Sequence, residues 1–338
     1  MYSLLNDYSE GAHPQVLQAL IDTNLNQTVG YGMDEISKEA KGLIKDRVGH
    51  NTDVHFVVGG TQANTTVIAS ILRPYQAVIA TDEGHINVHE TGAIEATGHK
   101  VLTVPHQEGK LTVVGIDRVV KAHTDEHMVQ PKMVYISQTT ELGSYYTLSE
   151  LKAIYEYTSS HDLYLYIDGA RLGSALALED APTFKQMGEY SDVFSIGGTK
   201  MGALFGEAIV IVNDDLKKDF RYHIKQRGGM LAKGRLLGVQ FKALFEKDLY
   251  LEIGQYENRL SMQIKDAILS IGYQLVADSY TNQLFVDMKN TDIQKIEEKF
   301  MITKMQPINE DVTRVRFVTS WATKEEKIIE LCHVIKNL

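Results

Sequence analysis

The chain has 338 residues, 43% of them hydrophobic, a formal net charge of −10 at pH 7 and a pI near 5.7. That length and apolar share support a large core and about two or three folding units. The acidic balance argues against nucleic acid or an anionic membrane surface as the main partner, and no apolar run approaches the ~20 residues of a membrane helix.

In chain order, Met1–Pro14 has neither the basic nor the apolar region of a secretory signal, so it is expected as an N-terminal arm. Pro14 suits the first helical position, and residues 15–26 place Val16, Leu17, Leu20 and Ile21 on one helical face. A second helix is expected over 35–49. The run His55–Val58 reads as a buried strand ending at Gly59-Gly60, followed by a helix over 62–73 that stops before Pro74. Strands are expected at 77–81, 100–104 and 133–137. A helix over 148–160 leads to further strands at 163–167, 193–196 and 208–212.

Strands alternating with helices predict an α/β unit with a mostly parallel sheet covered on both faces. After residue 235 the texture changes to long helical stretches over 235–271, short strands at 283–288 and 313–319, and a closing helix at 323–337. That region reads as a smaller α+β domain, giving an arm at 1–14, a large domain at 15–237 and a small domain at 238–338. In the closing helix Ile328, Ile329, Leu331, Cys332 and Ile335 form an apolar face, so Cys332 is expected in the core. It is the only cysteine, which excludes an internal disulfide and points to a reducing, cytoplasmic setting.

Ligands of open α/β sheets collect beyond the carboxyl ends of the strands, so those positions bear the chemistry. Gly59-Gly60-Thr61-Gln62-Ala63-Asn64 offers close backbone approach and a helix N-terminus suited to phosphate, without the Gly-Lys-Ser/Thr of a nucleotide loop. A tight turn capping a helix is the plain alternative. Asp168 ends an apolar run, where a carboxylate needs a cationic partner: a protonated pyridine nitrogen, or Arg171. Lys200 sits among small residues after a strand, where desolvation would free its amine to attack a carbonyl. His85, past the strand at 77–81, can stack on a flat cofactor or move protons. No metal is expected, because no paired ligand spacing is present.

Taken together, Gly60-Thr61-Gln62-Ala63-Asn64, His85 with Glu90-x-Gly92-Ala93, Asp168-Gly-Ala-Arg171 and Thr199-Lys200-x-Gly202-Ala203 resemble the threonine aldolase and β-eliminating lyase family. Its members are fold-type-I enzymes of pyridoxal 5′-phosphate (PLP), like aspartate aminotransferase. The resemblance implies that Lys200 carries PLP as a Schiff base, Asp168 partners the pyridine nitrogen and His85 stacks on the ring. It implies that Gly60, Thr61 and Gln62 cup the phosphate. Arg171 would contact both the cofactor side and the substrate carboxylate, and Arg316 would grip that carboxylate. Asn6, in Asn6-Asp7, and Tyr31, in Tyr31-Gly32-x-Asp34, would be substrate contacts, Tyr31 near a subunit interface.

There are departures. Gly228-Gly229-Met230-Leu231 lacks an arginine that relatives lend to a neighbouring subunit, with Lys233, Arg235 or Arg227 as candidate substitutes. Gln138-Thr139-Thr140-Glu141 stands where Glu-Asn-Thr-His is familiar. The resemblance implies a homo-oligomeric aldolase, dimer or tetramer, taking L-threonine or L-allo-threonine to glycine and acetaldehyde, with His85 as base. β-Elimination from an aromatic or sulfur L-amino acid, or transamination, is the alternative within the same cofactor chemistry. A non-catalytic binding or regulatory module is the alternative outside it.

Overall fold

The structure, a computed structural model, describes residues 1–49 and 51–338. The chain opens with a short strand, β1 (Tyr2–Ser3), then α1 (Pro14–Asp22) and α2 (Glu35–Val48). The alternating region follows: β2 (Asp53–Val57), α3 (Gly60–Ile71), β3 (Gln76–Thr81), α4 (His85–Val88), β4 (Lys100–Val104), α5 (Val113–Ala122), β5 (Gln130–Ser137), α6 (Leu148–Ser160), β6 (Tyr164–Asp168), α7 (Leu172–Leu176), α8 (Phe184–Glu189), β7 (Val193–Gly197) and β8 (Glu207–Ile211). Then come α9 (Phe220–Gln226), α10 (Arg235–Glu246), α11 (Leu249–Ser270), β9 (Gln283–Lys289), α12 (Asn290–Glu297), β10 (Phe300–Met301), β11 (Thr303–Pro307), β12 (Val312–Val318) and α13 (Glu325–Lys336).

Seven strands form the central sheet in the order β2-β8-β7-β6-β5-β3-β4. The pairs from β7 to β4 are parallel, while β8 runs antiparallel to both of its neighbours. Alternate residues leave the sheet on opposite faces. Ile79, Val134, Leu165 and Ile167 enter one core with α2, α6 and α10. Val78, Met133, Tyr135 and Tyr166 enter the other with α3 and α9. Both faces are therefore dry, which is why these strands read as continuous apolar runs.

A second, three-stranded antiparallel sheet, β11-β12-β9, packs with α11, α12 and α13 around Leu260, Ile264, Leu284, Val286, Phe317 and Leu331. The N-terminal arm belongs to this body. β1 pairs in parallel with β10, Leu4 is fully buried in the same core, and the Val318 N–H donates to the Leu4 carbonyl. The arm then meets the large domain beyond β6 and β7, where Asp7 pairs with Arg171 and the His13 N–H donates to the Gly202 carbonyl.

Some local expectations need correction, and one gap is filled: the segment 112–122, assigned no element from the sequence, is rich in β-branched residues and folds as helix α5. The Thr112 hydroxyl accepts from the Gly115 N–H and caps its N-terminus, while Ile116 is buried below. The helical stretch after 235 is interrupted at Asp248, whose left-handed φ of 59° separates α10 from α11. In α13, Ile328, Leu331 and Ile335 are buried and Cys332 is partly so, but Ile329 is 61% exposed, one helical step off the stripe. In α1 only Val16 is buried, while Leu17 and Ile21 face outward.

Helix α11 crosses α7 with almost no side chain between them. A Cβ on Gly254 would overlap the Gly173 carbonyl. Gly254→Ala should therefore cost about 1–3 kcal/mol through forced separation of the helices. Urea unfolding reads this directly, and an unchanged midpoint would contradict so close a crossing.

Candidate active site

Beyond the carboxyl ends of β2, β6 and β7 lies a cavity of about 670 Å³, closed from the other side by β9 and β12 of the small sheet. Its size suits a cofactor plus a small substrate. Gly60, Thr61, His85, Asp168, Arg171, Lys200 and Arg316 all line it.

Asp168, the last residue of β6, is 6% exposed. Its Oδ2 accepts from Asn64 Nδ2 at 3.0 Å and from the Tyr135 hydroxyl at 2.7 Å, and its Oδ1 accepts from the Ala170 N–H at 3.0 Å. Three donors hold the carboxylate in one orientation. The anchors are themselves anchored. Asn64 Oδ1 accepts from the Tyr166 hydroxyl at 2.7 Å, and Asn64 Nδ2 also donates to Glu90 Oε1 at 2.6 Å. The same Glu90 oxygen lies 2.8 Å from His85 Nδ1. The His85 hydrogen bonds among the described residues run through its backbone N–H and Nδ1, none through Nε2. Burial lowers the His85 pKa, but the hydrogen bond to Glu90 and the Asp168 and Glu90 charges outweigh it, so the net shift is upward.

Lys200 stands in a tight connection after β7. The Gly198 and Thr199 N–H groups both donate to the Gly206 carbonyl, and Met201 beside it is fully buried. Burial, helped by the Arg171 charge, pushes the Lys200 amine below its usual range; Asp7, Asp168 and Glu207 pull it back up. An amine so placed is available as a nucleophile.

Gly59 precedes α3 with no side chain capping the helix, and added Cβ atoms at Gly59 and Gly60 would meet open space. The free N–H groups and the Thr61 hydroxyl therefore form a cradle suited to an anion. At the opposite end, Arg316 donates through Nη2 to the Leu5 carbonyl at 3.0 Å, while its buried Nε–H has no partner among the described residues. Arg171 is engaged with the arm: Nε and Nη2 donate to the two oxygens of buried Asp7 at 2.6 and 3.1 Å. Burial would raise the Asp7 pKa, but the Arg171 and Lys200 charges win and hold it below the usual carboxylate range. The residues fit PLP: an anion cradle, a fixed carboxylate for the ring nitrogen, a desolvated amine for the aldehyde and a guanidinium with a spare donor.

Three expected contacts lie elsewhere. The Gln62 side chain turns back, accepting from the Val58 N–H and donating to the Arg227 carbonyl, so it braces the cradle from behind. Asn6 Oδ1 accepts from the Tyr8 N–H and the Ser9 hydroxyl, which shapes the arm. Tyr31 lines a separate small cavity with Lys41, His55 and Arg221. Of the candidate substitute cations, Arg235 donates to the Thr23 and Asn24 carbonyls, and neither it nor Lys233 nor Arg227 lines the main cavity. Asn64, Tyr135, Glu90, Glu141 and Glu207 were not singled out as site residues. Asn64 lines the cavity, while Tyr135 and Glu90 sit behind it. Glu141 lines the cavity, with Oε1 accepting from the His85 N–H at 2.8 Å and the Ser137 hydroxyl at 2.6 Å.

A family model described as β-eliminating lyase matches residues 4–291. A low-specificity L-threonine aldolase of Pseudomonas aeruginosa is 30% identical over 335 residues, covering 98% of this chain and 96% of its own length. One from another Pseudomonas strain is 31% identical over 337 residues, with 98% and 96% covered. The solved structure of a Leishmania major threonine aldolase superposes with a TM-score of 0.98 at 44% identity, covering 100% of this chain and 99% of that one. An aspartate aminotransferase of Thermus thermophilus, at 14% identity and a TM-score of 0.73 over 100% of this chain and 91% of that one, shares the fold.

The His85–Glu90 pair yields a pH prediction. Its folded-state His pKa lies above the ordinary value, so the pair's stabilisation is complete below about pH 6.5 and is lost as pH rises through the folded value. Glu90→Gln should move the His85 ring titration to lower pH by NMR. The stability gap between the two proteins should shrink from about pH 5 to about pH 8; a gap independent of pH would contradict the pairing.

Proposed function

We propose, from the premise that the chain belongs to the β-eliminating lyase family, that its cavity holds PLP and cleaves L-threonine or L-allo-threonine to glycine and acetaldehyde. One observation carries this reading: Lys200, Asp168 and the uncapped start of α3 converge on a single cavity. Near-full-length similarity to proteins named threonine aldolase supports the choice of reaction.

Lys200 would bind the cofactor, Asp168 would hold its ring nitrogen, Gly60 and Thr61 its phosphate, and His85 its ring face. PLP, when bound, supplies an electron sink for a bonding pair at the substrate Cα. The protein's own share is positioning and proton movement. Arg316 offers its unpartnered Nε–H to the substrate carboxylate, a charge-assisted hydrogen bond that fixes which Cα bond faces the ring. Arg171 is positioned by Asp7 and keeps Nη1 free for the same anion. Breaking Cα–Cβ turns the β-carbinol into an aldehyde, so its hydroxyl proton must be accepted. His85 Nε2 takes it directly or through a water, with Nδ1 fixed on Glu90. The upward shift of His85 means that this base becomes available as pH rises past its own pKa.

We place the enzyme in the cytoplasm as a homo-oligomer, dimer or tetramer. No helix among the described residues is long and apolar enough to cross a membrane. The exposed side chains of Leu17, Ile21, Leu25, Val29, Tyr31 and Met33 supply an apolar face that a second copy would cover.

Purified protein should release acetaldehyde from L-threonine and L-allo-threonine. Pyruvate from L-serine, or phenol and pyruvate from L-tyrosine, without acetaldehyde from threonine would move the reading to β-elimination. Lys200→Ala should lose both turnover and the visible absorbance of bound cofactor. Arg316→Ala should raise KM roughly 10–100-fold with a smaller change in kcat, as expected for loss of one charged hydrogen bond. Unchanged KM would remove Arg316 from the substrate site.

A further inference from the structure

Gln283 is the first residue of β9, and Arg316 lies on β12 beside it. In their antiparallel register Gln283 stands opposite Val318, and Phe285 stands opposite Arg316. Gln283, Phe285 and Arg316 all line the main cavity, so they share the sheet face turned toward it. Diagonal neighbours on one face are within reach of long side chains, and Arg316 Nη1 is 3.5 Å from Gln283 Oε1. That contact sets the direction of the carboxamide: its oxygen meets the guanidinium and its amino group points away. Gln283 is 1% exposed, and its Nε2 is buried without a partner among the described residues. The Arg316 Nε–H is in the same condition. A buried donor without an acceptor is destabilising, and a Met would fill the Gln283 site without one. Packing gives no reason for an amide here; an acceptor arriving in the cavity does.

We propose that Gln283 is a further substrate-binding residue, whose amide N–H joins the Arg316 Nε–H in donating to the substrate carboxylate. A carboxylate has two oxygens and several acceptor positions, so one anion satisfies both donors. The charges at this end of the cavity agree. Burial and the Arg171 charge both push the Arg316 pKa down, against the pull of Asp7 and Tyr8, so the two guanidiniums repel each other until an anion lies between them. A third cation at position 283 would add to that repulsion. A neutral amide adds a hydrogen bond without adding charge.

The inference rests on the proposed role of this cavity as an amino-acid site, and its test separates the two claims. Holoenzyme is titrated with glycine and with methylamine, which is glycine without its carboxylate, and the visible absorbance of the cofactor reads binding. Gln283→Met, similar in length but unable to donate, should weaken glycine about tenfold, as loss of a hydrogen bond to a charged group predicts, and leave methylamine unchanged. In an Arg316→Ala background the same substitution should still weaken glycine several-fold, because the amide acts on the ligand itself. Equal glycine affinity with and without Gln283→Met in that background would reduce Gln283 to holding Arg316 in place and overturn the contact alone. Parallel losses for glycine and methylamine would do the same. A wild-type holoenzyme that responds to neither glycine nor L-threonine would overturn the assigned function, and the contact with it. If Gln283→Met loses its native circular dichroism, Gln283→Asn decides: it keeps the carboxamide but withdraws it by one methylene, and the same selective loss for glycine is expected.

Discussion

The site depends on one immobile carboxyl group at the end of β6. Asp168 is nearly buried and is held by three donors from the sheet, from α3 and from the backbone just after β6. A buried carboxylate with that support does not rotate freely. It sets the polarity of the cavity: the amine of Lys200, the ring of His85 and the phosphate cradle of α3 are arranged about it. Glu90 and Asn64 extend its grip to His85, so the group expected against one ring face is tied to the group expected at the ring nitrogen.

The second constraint is the way the arm closes the site. β1 adds to the small sheet, Leu4 is buried there, and the next few residues bring Asp7 onto Arg171. Asn282, just before β9, donates to the same Asp7 carboxylate at 2.9 Å. Asp7, Arg171, Asn282 and Arg316 thus join the arm, the large sheet and the small sheet around the end of the cavity expected to hold the substrate carboxylate. Movement of the small body would be felt there first, since Arg316 lies on β12 and Arg171 follows β6.

Much of this was legible in the chain because the physics is local. Apolar runs between glycines mark parallel strands buried on both faces, and their carboxyl ends are where ligands gather, so Asp168, Lys200, His85 and Gly60 stood out. Glu207 did not, because it begins an antiparallel strand, and nothing in its neighbours marks β8 as the one reversed strand. Gln62 shares the glycine-rich segment with Thr61, but its side chain points behind the turn, a matter of helix phase that proximity in sequence does not resolve. α5 was hidden because its valines favour strand, and only the Thr112 cap betrays the helix. The pairing of Asp7 with Arg171 spans 164 positions and has no local signature.

The central claim is geometric, so coordinates with PLP bound test it most directly. The account predicts continuous density from Lys200 Nζ to the cofactor, with an Asp168 oxygen within about 3 Å of the pyridine nitrogen. A ring nitrogen facing solvent or another residue, with Asp168 still turned to Asn64 and Tyr135 alone, would contradict it.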